Sequence, residues 1–277
     1  MARSFTALEQ LERGILTEFR EPLWQPFCRS IKRYRLINPG DKIAVCISGG
    51  KDSMLLAKLI QLLHRHSPVP FEAVYLIMDP GYNPENREKV ESNARLLGIP
   101  YTLFESDIFE VANTQEKNPC FLCARMRRGC LYGKAQALGC NKIALGHHFD
   151  DVIETTLMGM LYGGQLQAMP PKLRAKNFPG MELIRPLYTV REEDICAWRD
   201  KNGLSFIQCA CRFTERAGQE EHASKRQEVK RLLKRLREEN PVVEQNVFGS
   251  IHNVQLDTMV AWKYKGKEHS FLEDFDE

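Results

Sequence analysis

The sequence lacks a long apolar run, a secretion signal and a strong charge of either sign. No apolar run in its 277 residues approaches the roughly 18 to 20 residues that a membrane helix needs. The opening segment, MARSFTALEQLERG, has no apolar signal core, so we expect a cytoplasmic protein. Because the formal net charge is only +3, any contact with nucleic acid must come from local basic patches.

The sequence also lacks internal repeats and low-complexity segments, and its number of cysteines is not even. The nine cysteines form an odd number. In a reducing compartment they are expected to be thiols, metal ligands or catalytic groups rather than disulfides. Four of them fall in predicted strands and helices or at their ends and are interpreted as structural: Cys46, Cys130, Cys140 and Cys196.

Short apolar runs alternate with amphipathic stretches through the first half of the chain. In chain order, the predicted strands and helices lie at 42–47, 53–64, 71–78, 84–97, 101–105, 126–138 and 142–145. This alternation predicts an α/β fold with a doubly wound, mostly parallel sheet. A helical lead-in over 1–38 precedes the sheet domain, which we assign to 39–215, and a basic helical segment follows over 216–277.

The strongest motif is Ser48-Gly49-Gly50-Lys51-Asp52-Ser53, which directly follows an apolar strand and directly precedes an apolar helix. Its two glycines let the backbone turn tightly, so that N–H groups and the helix N-terminus can face an anion such as phosphate. Lys51 adds a positive charge, and the two serines add hydroxyl donors. The Walker spacing, a glycine and four residues before Gly-Lys-Ser/Thr, is absent.

A second group of polar residues follows two other predicted strands. Gly146-His147-His148-Phe149-Asp150-Asp151 comes after the fourth strand, and Asp79 follows the second. Ligands of such sheets bind outside the carboxyl ends of the strands, and carboxylates at a phosphate site commonly hold Mg²⁺. Capping of the following helix is the competing interpretation of Asp150 and Asp151, and the two roles are compatible.

Two cysteine pairs have spacings that suit metal ligands. Cys120 and Cys123 are separated by two residues, whereas Cys209 and Cys211 are separated only by Ala210. Thiols at such spacing can bind a metal or a cluster, or act as a redox pair. Both a four-thiolate zinc site and a three-thiolate iron–sulfur site are compatible with the two pairs.

Basic residues concentrate at two places. Arg125, Arg127 and Arg128 follow the first cysteine pair and are candidates for binding RNA. A predicted helix after position 223 carries a second group, namely Lys230, Arg231, Lys234 and Arg235. A charged helix face is often only solvated surface, and the alternative is a face that contacts RNA phosphates.

The glycine-rich hexapeptide resembles the PP-loop of ATP pyrophosphatases, the adenine nucleotide alpha hydrolase-like enzymes. Further motifs extend the resemblance to the tRNA 2-thiocytidine synthetase family, in an order that spans residues 30–255. They are the first cysteine pair running into the arginines, Leu145-Gly146-His147-His148-x-Asp150-Asp151, Tyr162-Gly163-Gly164, Met169-Pro170-Pro171-Lys172 and Ile184-Arg185-Pro186-Leu187.

This resemblance implies an ATP-dependent tRNA sulfurtransferase that releases AMP and pyrophosphate. It would adenylate the C2 oxygen of a pyrimidine, a cytidine of the anticodon loop, and a 4Fe-4S cluster would deliver sulfur to form 2-thiocytidine. The family holds this cluster with three cysteines, which correspond here to Cys120, Cys123 and Cys209. The implied partners are tRNA, a cysteine desulfurase or another sulfur donor, and a second copy of the chain.

The resemblance also implies roles for individual residues. Lys51, Asp52 and Asp150 would be catalytic. The site for ATP and Mg²⁺ would comprise Ser48, Gly49, Gly50, Lys51, Asp52, Ser53, Asp79, Gly146, His147 and Asp151.

The sequence departs from the family pattern at the second cysteine pair, where the family usually has two residues between the thiols. Cys211 is therefore an alternative to Cys209 as the third ligand, and a relative acting on uridine or another base stays open. Two further hypotheses differ in kind. One is an adenylating ligase or amidotransferase that uses an amine and has a structural zinc site, and the other is a zinc-stabilised RNA-binding module.

Overall fold

The computed structural model describes residues 5–109, 119–207 and 222–274. These residues divide into two compact units, one drawn from Met1–Val152 with Met169–Ser224 and the other from Ile153–Ala168 with Lys225–Glu277. The predicted domain boundaries after residues 38 and 215 stay a prediction. Among the helices in these ranges, none is both long enough and apolar enough to cross a membrane.

The first unit is built on a six-stranded sheet. In chain order its strands are β1 (Lys42–Ile47), β2 (Glu72–Asp79), β3 (Tyr101–Glu105), β4 (Lys142–Ala144), β5 (Lys172–Arg174) and β6 (Glu182–Ile184). They lie side by side in the order β3-β2-β1-β4-β6-β5, and every neighbouring pair is parallel except β5 and β6. The predicted doubly wound, mostly parallel sheet is therefore confirmed.

Strand β1 lies at the centre of this sheet because both of its faces are apolar. Ile43, Val45 and Ile47 belong to one buried cluster, and Ala44 and Cys46 belong to another on the opposite face. Successive residues of a strand point to opposite faces, so a continuously apolar strand needs cover on both sides. Helices provide that cover, as the alternating sequence pattern predicts.

The helices of the first unit follow the strands in alternation. They are α1 (Ala7–Leu16), α2 (Gln25–Tyr34), α3 (Lys51–His66), α4 (Pro84–Leu96), α5 (Pro119–Ala137), the first turn of α6 (Phe149–Gly163) and α7 (Glu192–Lys201). The predicted lead-in is helical but interrupted by a π-helical turn at Arg20–Trp24. Pro22 lacks an N–H for the helical ladder, and Pro26 suits the start of α2.

The second unit contains the rest of α6, most of α8 (His222–Glu239), α9 (Val243–Ser250) and a hairpin of β7 (Ala261–Tyr264) and β8 (Lys267–Ser270). Short 3₁₀ turns lie at Leu256–Thr258 and Phe271–Asp274. Within this unit, the Glu154 side chain is only 3% exposed and accepts a hydrogen bond from Arg226 at 2.7 Å. Charge pairing thus fixes α8 against α6.

A buried ion pair holds the amino-terminal ends of β1 and β4 together. The Lys142 ammonium group is 2.6 Å from the Asp41 carboxylate and donates to the Leu36 carbonyl at 2.9 Å. The two charged side chains are only 2% and 7% exposed. Burial by itself raises the pKa of Asp41, but hydrogen bonds from Lys142, Asn141 and the Asn38 N–H outweigh it and hold that pKa below its usual value.

We expect the substitution Asp41→Asn to lower the free energy of unfolding at pH 7 by about 3 kcal/mol, because it leaves the buried Lys142 charge with only the longer, partly exposed contact to Glu182 at 3.5 Å. Denaturant titration measures this. The matched control is Asp200→Asn, which breaks the exposed pair with Arg199 and should cost at most about 1 kcal/mol. Equal losses in the two variants would contradict the assignment.

The pH dependence of the same pair has a defined sign. Because the pKa of Asp41 is lowered by folding, its contribution is complete above the unfolded pKa of about 3.9 and is lost as the pH falls through the folded value. The stability difference between wild type and Asp41→Asn should therefore shrink below about pH 4.

Candidate active site

The loop after β1 turns sharply into α3. Gly49 has a φ of +86°, and a Cβ there would lie 2.5 Å from Val90 and 2.6 Å from Ile207, so only glycine fits. The Ser53 hydroxyl accepts a hydrogen bond from the Ser48 N–H at 3.1 Å and donates to the Gly50 carbonyl at 2.9 Å. These contacts fix the loop around the first turn of α3, whose N–H groups favour an anion.

The end of β4 closely approaches the same turn. A Cβ on Gly146 would lie 3.0 Å from the carbonyl carbon of Asp52 and 3.0 Å from the nitrogen of Ser53. A cavity of about 290 Å³ opens beside this contact. Predicted site residues from both loops line it: Ser48, Asp52, Ser53, Gly146, His147 and Asp151. The cavity lies where the strand order changes direction, between β1 and β4, which is the ligand position in open α/β sheets.

Lys51 is held by two carboxylates. Its ammonium group lies 2.9 Å from Glu192 and 3.1 Å from Asp52. Burial lowers the pKa of Lys51, but the two neighbouring carboxylates outweigh it and raise that pKa above its usual value. Lys51 is therefore a permanent cation at physiological pH. Sequence reasoning missed Glu192, whose only local signal is its position in the acidic first turn of α7.

Three aspartates surround His148, another residue that the sequence prediction did not select. Its imidazole nitrogens lie 3.4 Å from Asp151, 3.7 Å from Asp150 and 3.8 Å from Asp52. Asp151 also accepts from the His148 N–H at 3.1 Å, and Asp150 accepts from the Glu192 N–H at 2.7 Å. Both aspartates thus make capping contacts, at the starts of α6 and α7, while Asp52 and Asp151 also line the cavity.

Asp79 positions Tyr82, a residue that lines the cavity. The Asp79 carboxylate is buried and accepts hydrogen bonds from the N–H groups of Gly81 and Tyr82 at 2.9 and 2.7 Å. Tyr82, which lines the cavity, donates through its hydroxyl to the Ser48 carbonyl at 3.2 Å. Burial raises the pKa of the Tyr82 phenol, although the adjacent Arg127 partly opposes that shift. Tyr82 therefore lines the site as a neutral side chain.

Helix α5 carries both the first cysteine pair and Arg127. The helix begins at Pro119, seven residues before its predicted start. Positions 120, 123 and 127 therefore share one side of it, since residues three and four apart are neighbours on a helix. Arg127 lines the cavity, whereas Arg125 and Arg128 are exposed.

The predicted thiol ligands are described only in part. Cys123 is half-buried. The side chain of Cys120, and Cys209 and Cys211 entirely, lie outside the described residues. Within the described ranges, no three His, Cys, Asp or Glu side chains form a metal-binding group. The two positions on α5 still fit a metal centre, because two thiols one helical turn apart can bind one ion or cluster.

The predicted basic face on α8 divides into two parts. Lys230 lies 3.6 Å from the buried Glu154 carboxylate, so part of its charge is used within the second unit. Arg231, Lys234 and Arg235 are exposed, and Val229 and Leu233 on the opposite side are buried. This arrangement is compatible with a surface that contacts phosphates, and the predicted role stays a prediction.

The chain matches known proteins in both sequence and fold. Residues 24–213 match the family model of the PP-loop domain. The tRNA-cytidine(32) 2-sulfurtransferase of Syntrophotalea carbinolica is 38% identical over 82% of this chain and 86% of its own. The enzyme of the same name from Anaeromyxobacter dehalogenans is 36% identical over 89% of this chain and 81% of its own.

A solved structure supports the fold. The U34-tRNA thiolase of Methanococcus maripaludis, described with its 4Fe-4S cluster, superposes with a TM-score of 0.65 over 87% of this chain and 80% of its own. The two sequences are only 20% identical, so this likeness concerns the fold.

The sheet order, the glycine loop and the matched domain together define a PP-loop protein. Within that class, the chain belongs to the family of the tRNA-cytidine(32) 2-sulfurtransferases, because identities of 35–39% extend over most of its length. The resemblance inferred from the motifs is thereby confirmed.

Neutralising Glu192 should leave Lys51 with one carboxylate partner, Asp52, and so make it more available to phosphate. We expect Glu192→Gln to tighten ATP binding about tenfold, because ATP no longer competes with the carboxylate and the negative charge beside its phosphates falls. Lys51→Ala should weaken binding at least as much. Calorimetric titration with ATP measures both.

The matched control for this comparison is Glu193→Gln, which removes the neighbouring carboxylate that pairs with Arg191. It should leave the ATP affinity unchanged. Weaker ATP binding by Glu192→Gln would mean that Glu192 helps to hold the ligand instead of competing with it.

Proposed function

We propose that the protein is an ATP-dependent tRNA sulfurtransferase that converts a cytidine of the anticodon loop, at position 32, to 2-thiocytidine. The observation that carries this proposal is the placement of Cys123 and Arg127 on one side of α5, with Arg127 lining the cavity beside the PP-loop. The thiol motif thereby shares one rigid helix with the nucleotide site. The names of the relatives supply the substrate and the base.

The first half of the reaction would activate the base. The C2 carbonyl of cytidine is a poor electrophile and must be activated before sulfur can add. Its oxygen attacks the α-phosphorus of ATP, and pyrophosphate leaves. Negative charge accumulates on the departing pyrophosphate, where Lys51 and the N–H groups at the start of α3 would stabilise it. In the second half, sulfur adds at C2, the C2–O bond breaks and AMP leaves.

Carboxylates beside the cavity would hold Mg²⁺. Asp52 and Asp151 line it, and Asp150 directly precedes Asp151 in the first turn of α6. Carboxylate oxygens are the ligands that Mg²⁺ prefers, together with substrate phosphates. We assign catalytic roles to Asp52 and Asp150 on this basis, and to Lys51 because its positive charge would stabilise the pyrophosphate.

Cys120, Cys123 and a cysteine of the second pair would hold a 4Fe-4S cluster, with Cys209 as the first choice. The cluster, when bound, would supply the sulfur-transfer chemistry. Three protein thiolates suffice for such a role because one iron then lacks a protein ligand. An adenylating ligase that uses an amine would give Cys120 and Cys123 no chemical task, which favours the thiolase.

The proposed tRNA contacts are supported by exposed positive charge, and the proposed sulfur donor, dimer and location are supported by the family resemblance. The tRNA would contact Arg125, Arg128 and the exposed basic residues of α8. A cysteine desulfurase or another donor would supply sulfur, the chain would act as a homodimer, and the reaction would take place in the cytoplasm.

Removing a thiol on α5 tests the function directly. We expect Cys123→Ser, purified without oxygen, to lower formation of 2-thiocytidine in tRNA by at least about 100-fold while ATP binds as in the wild type. Nucleoside analysis of digested tRNA measures the product, and calorimetry measures the ATP affinity.

Cys28→Ala is the control for the loss of any thiol. Burial raises the pKa of Cys28 to about 11, so this thiol is an unreactive core group. It should leave thiolation unchanged. Loss of ATP binding together with thiolation in Cys123→Ser would mean that Cys123 is structural.

Cys209 and Cys211 can be separated by metal analysis of protein purified without oxygen. The wild type should contain about four irons and four acid-labile sulfides per chain. Both should be lost in Cys209→Ala and kept in Cys211→Ala. The reverse pattern would assign the ligand to Cys211, and stoichiometric zinc without iron would count against sulfur transfer.

A further inference from the structure

The β7–β8 hairpin of the second unit lies outside residues 24–213, the part of the chain that matches the PP-loop domain. It is a short antiparallel pair that reverses at Lys265 and Gly266, both with positive φ, +51° and +83°. Its ten residues, AWKYKGKEHS, carry three lysines against one glutamate and interleave the lysines with Trp262 and Tyr264. No task in the proposed reaction requires this element.

The two faces of the hairpin differ in chemistry. Trp262 pairs with His269 across the strands and Tyr264 pairs with Lys267, so these four side chains share one face. The Trp262 and His269 rings are stacked, with centroids 5.5 Å apart and planes inclined by 11°. Lys263 pairs with Glu268 on the other face, where their charged atoms are 3.6 Å apart.

Tyr264 is the most accessible aromatic residue of this face. It is 60% exposed, and the Lys265 ammonium group lies 5.0 Å from the centre of its ring. Lys267 stands opposite it on the neighbouring strand. A flat ring accompanied by two cations matches a nucleotide, since a base can stack on the ring while ammonium groups reach the flanking phosphates.

The composition of the face favours nucleic acid over a protein partner. Aromatic residues are enriched in both kinds of interface, but lysine is depleted in the cores of protein–protein interfaces. Phosphate contacts, in contrast, depend on lysine and arginine. The opposite face has its lysine paired with a glutamate. On the aromatic face Glu273 lies 3.1 Å from the His269 ring and also attracts Lys267, but Lys265 and Lys267 together outnumber this carboxylate around Tyr264.

We propose that this aromatic face of the hairpin is a second tRNA-binding surface, on which an unpaired nucleotide stacks on Tyr264 while Lys265 and Lys267 hold the adjacent phosphates. The inference rests on the proposed function, because it takes tRNA as the substrate. It assigns the C-terminal element a role in binding the RNA and none in the chemical steps.

The test measures binding of an unmodified tRNA transcript to the full-length protein by fluorescence anisotropy over a range of salt concentrations. Tyr264→Ala should raise the Kd about tenfold, and Tyr264→Phe should bind like the wild type, because stacking needs the ring and not the hydroxyl. Lys267→Gln should reduce the slope of log Kd against log salt by about one phosphate contact.

The matched control is Lys263→Gln, which removes the same charge from the opposite face of the same hairpin. It should change the salt dependence by less than half as much as Lys267→Gln. ATP affinity, measured on every variant, should equal that of the wild type and reports that the PP-loop unit remains folded.

Two results would overturn the inference. One is tRNA affinity in Tyr264→Ala and Lys267→Gln equal to the wild type, and the other is a change of oligomeric state in Tyr264→Ala by light scattering, which would make the face a protein interface. Failure of the wild type to bind tRNA at any salt concentration would instead refute the proposed function itself.

Discussion

The contact between Gly146 and the first turn of α3 is the constraint on which the site depends. Two residues beyond the end of β4, the backbone at Gly146 meets the backbone of Asp52 and Ser53, and a Cβ at this position would lie 3.0 Å from both. Only a hydrogen fits in that space without displacing one of the two loops. The cavity lies beside this contact, so the phosphate-binding turn and the acidic turn face the same volume.

The positive charge of Lys51 beside this contact is paired before any ligand arrives. Lys51 is neutralised by Asp52 and Glu192, and the Glu192 N–H is in turn held by Asp150. His148 lies among the three aspartates and separates them. Such an arrangement keeps the groups oriented in a partly buried site, at the cost of requiring a phosphate to compete with existing ion pairs. The site is preorganised in position, and its carboxylates outnumber Lys51.

Local patterns predicted most of the sheet and part of the site. The bounds predicted for β1 agree with the structure because a continuous apolar run between turns leaves little choice. The bounds predicted for β3 also agree, although that strand is only partly apolar. The glycine loop and the turn after β4 were found because their chemistry is contiguous in the sequence. Glu192 was not, since it meets Lys51 across 141 residues of chain, and no local signal encodes that contact. The hairpin was missed because its strands are only four residues long and bury no face, although their aromatic and lysine residues alternate.

Helix α5 fixes the position of the first cysteine pair relative to the nucleotide cavity. Cys123 and Arg127 are four residues apart on one uninterrupted helix, which corresponds to about 6 Å of rise along its axis. That offset is set by helical geometry and does not change when surrounding loops move. Insertion of a single residue between them would rotate Arg127 by about 100° relative to Cys123. The spacing of four residues therefore sets both the distance and the angle between the thiol position and the arginine position.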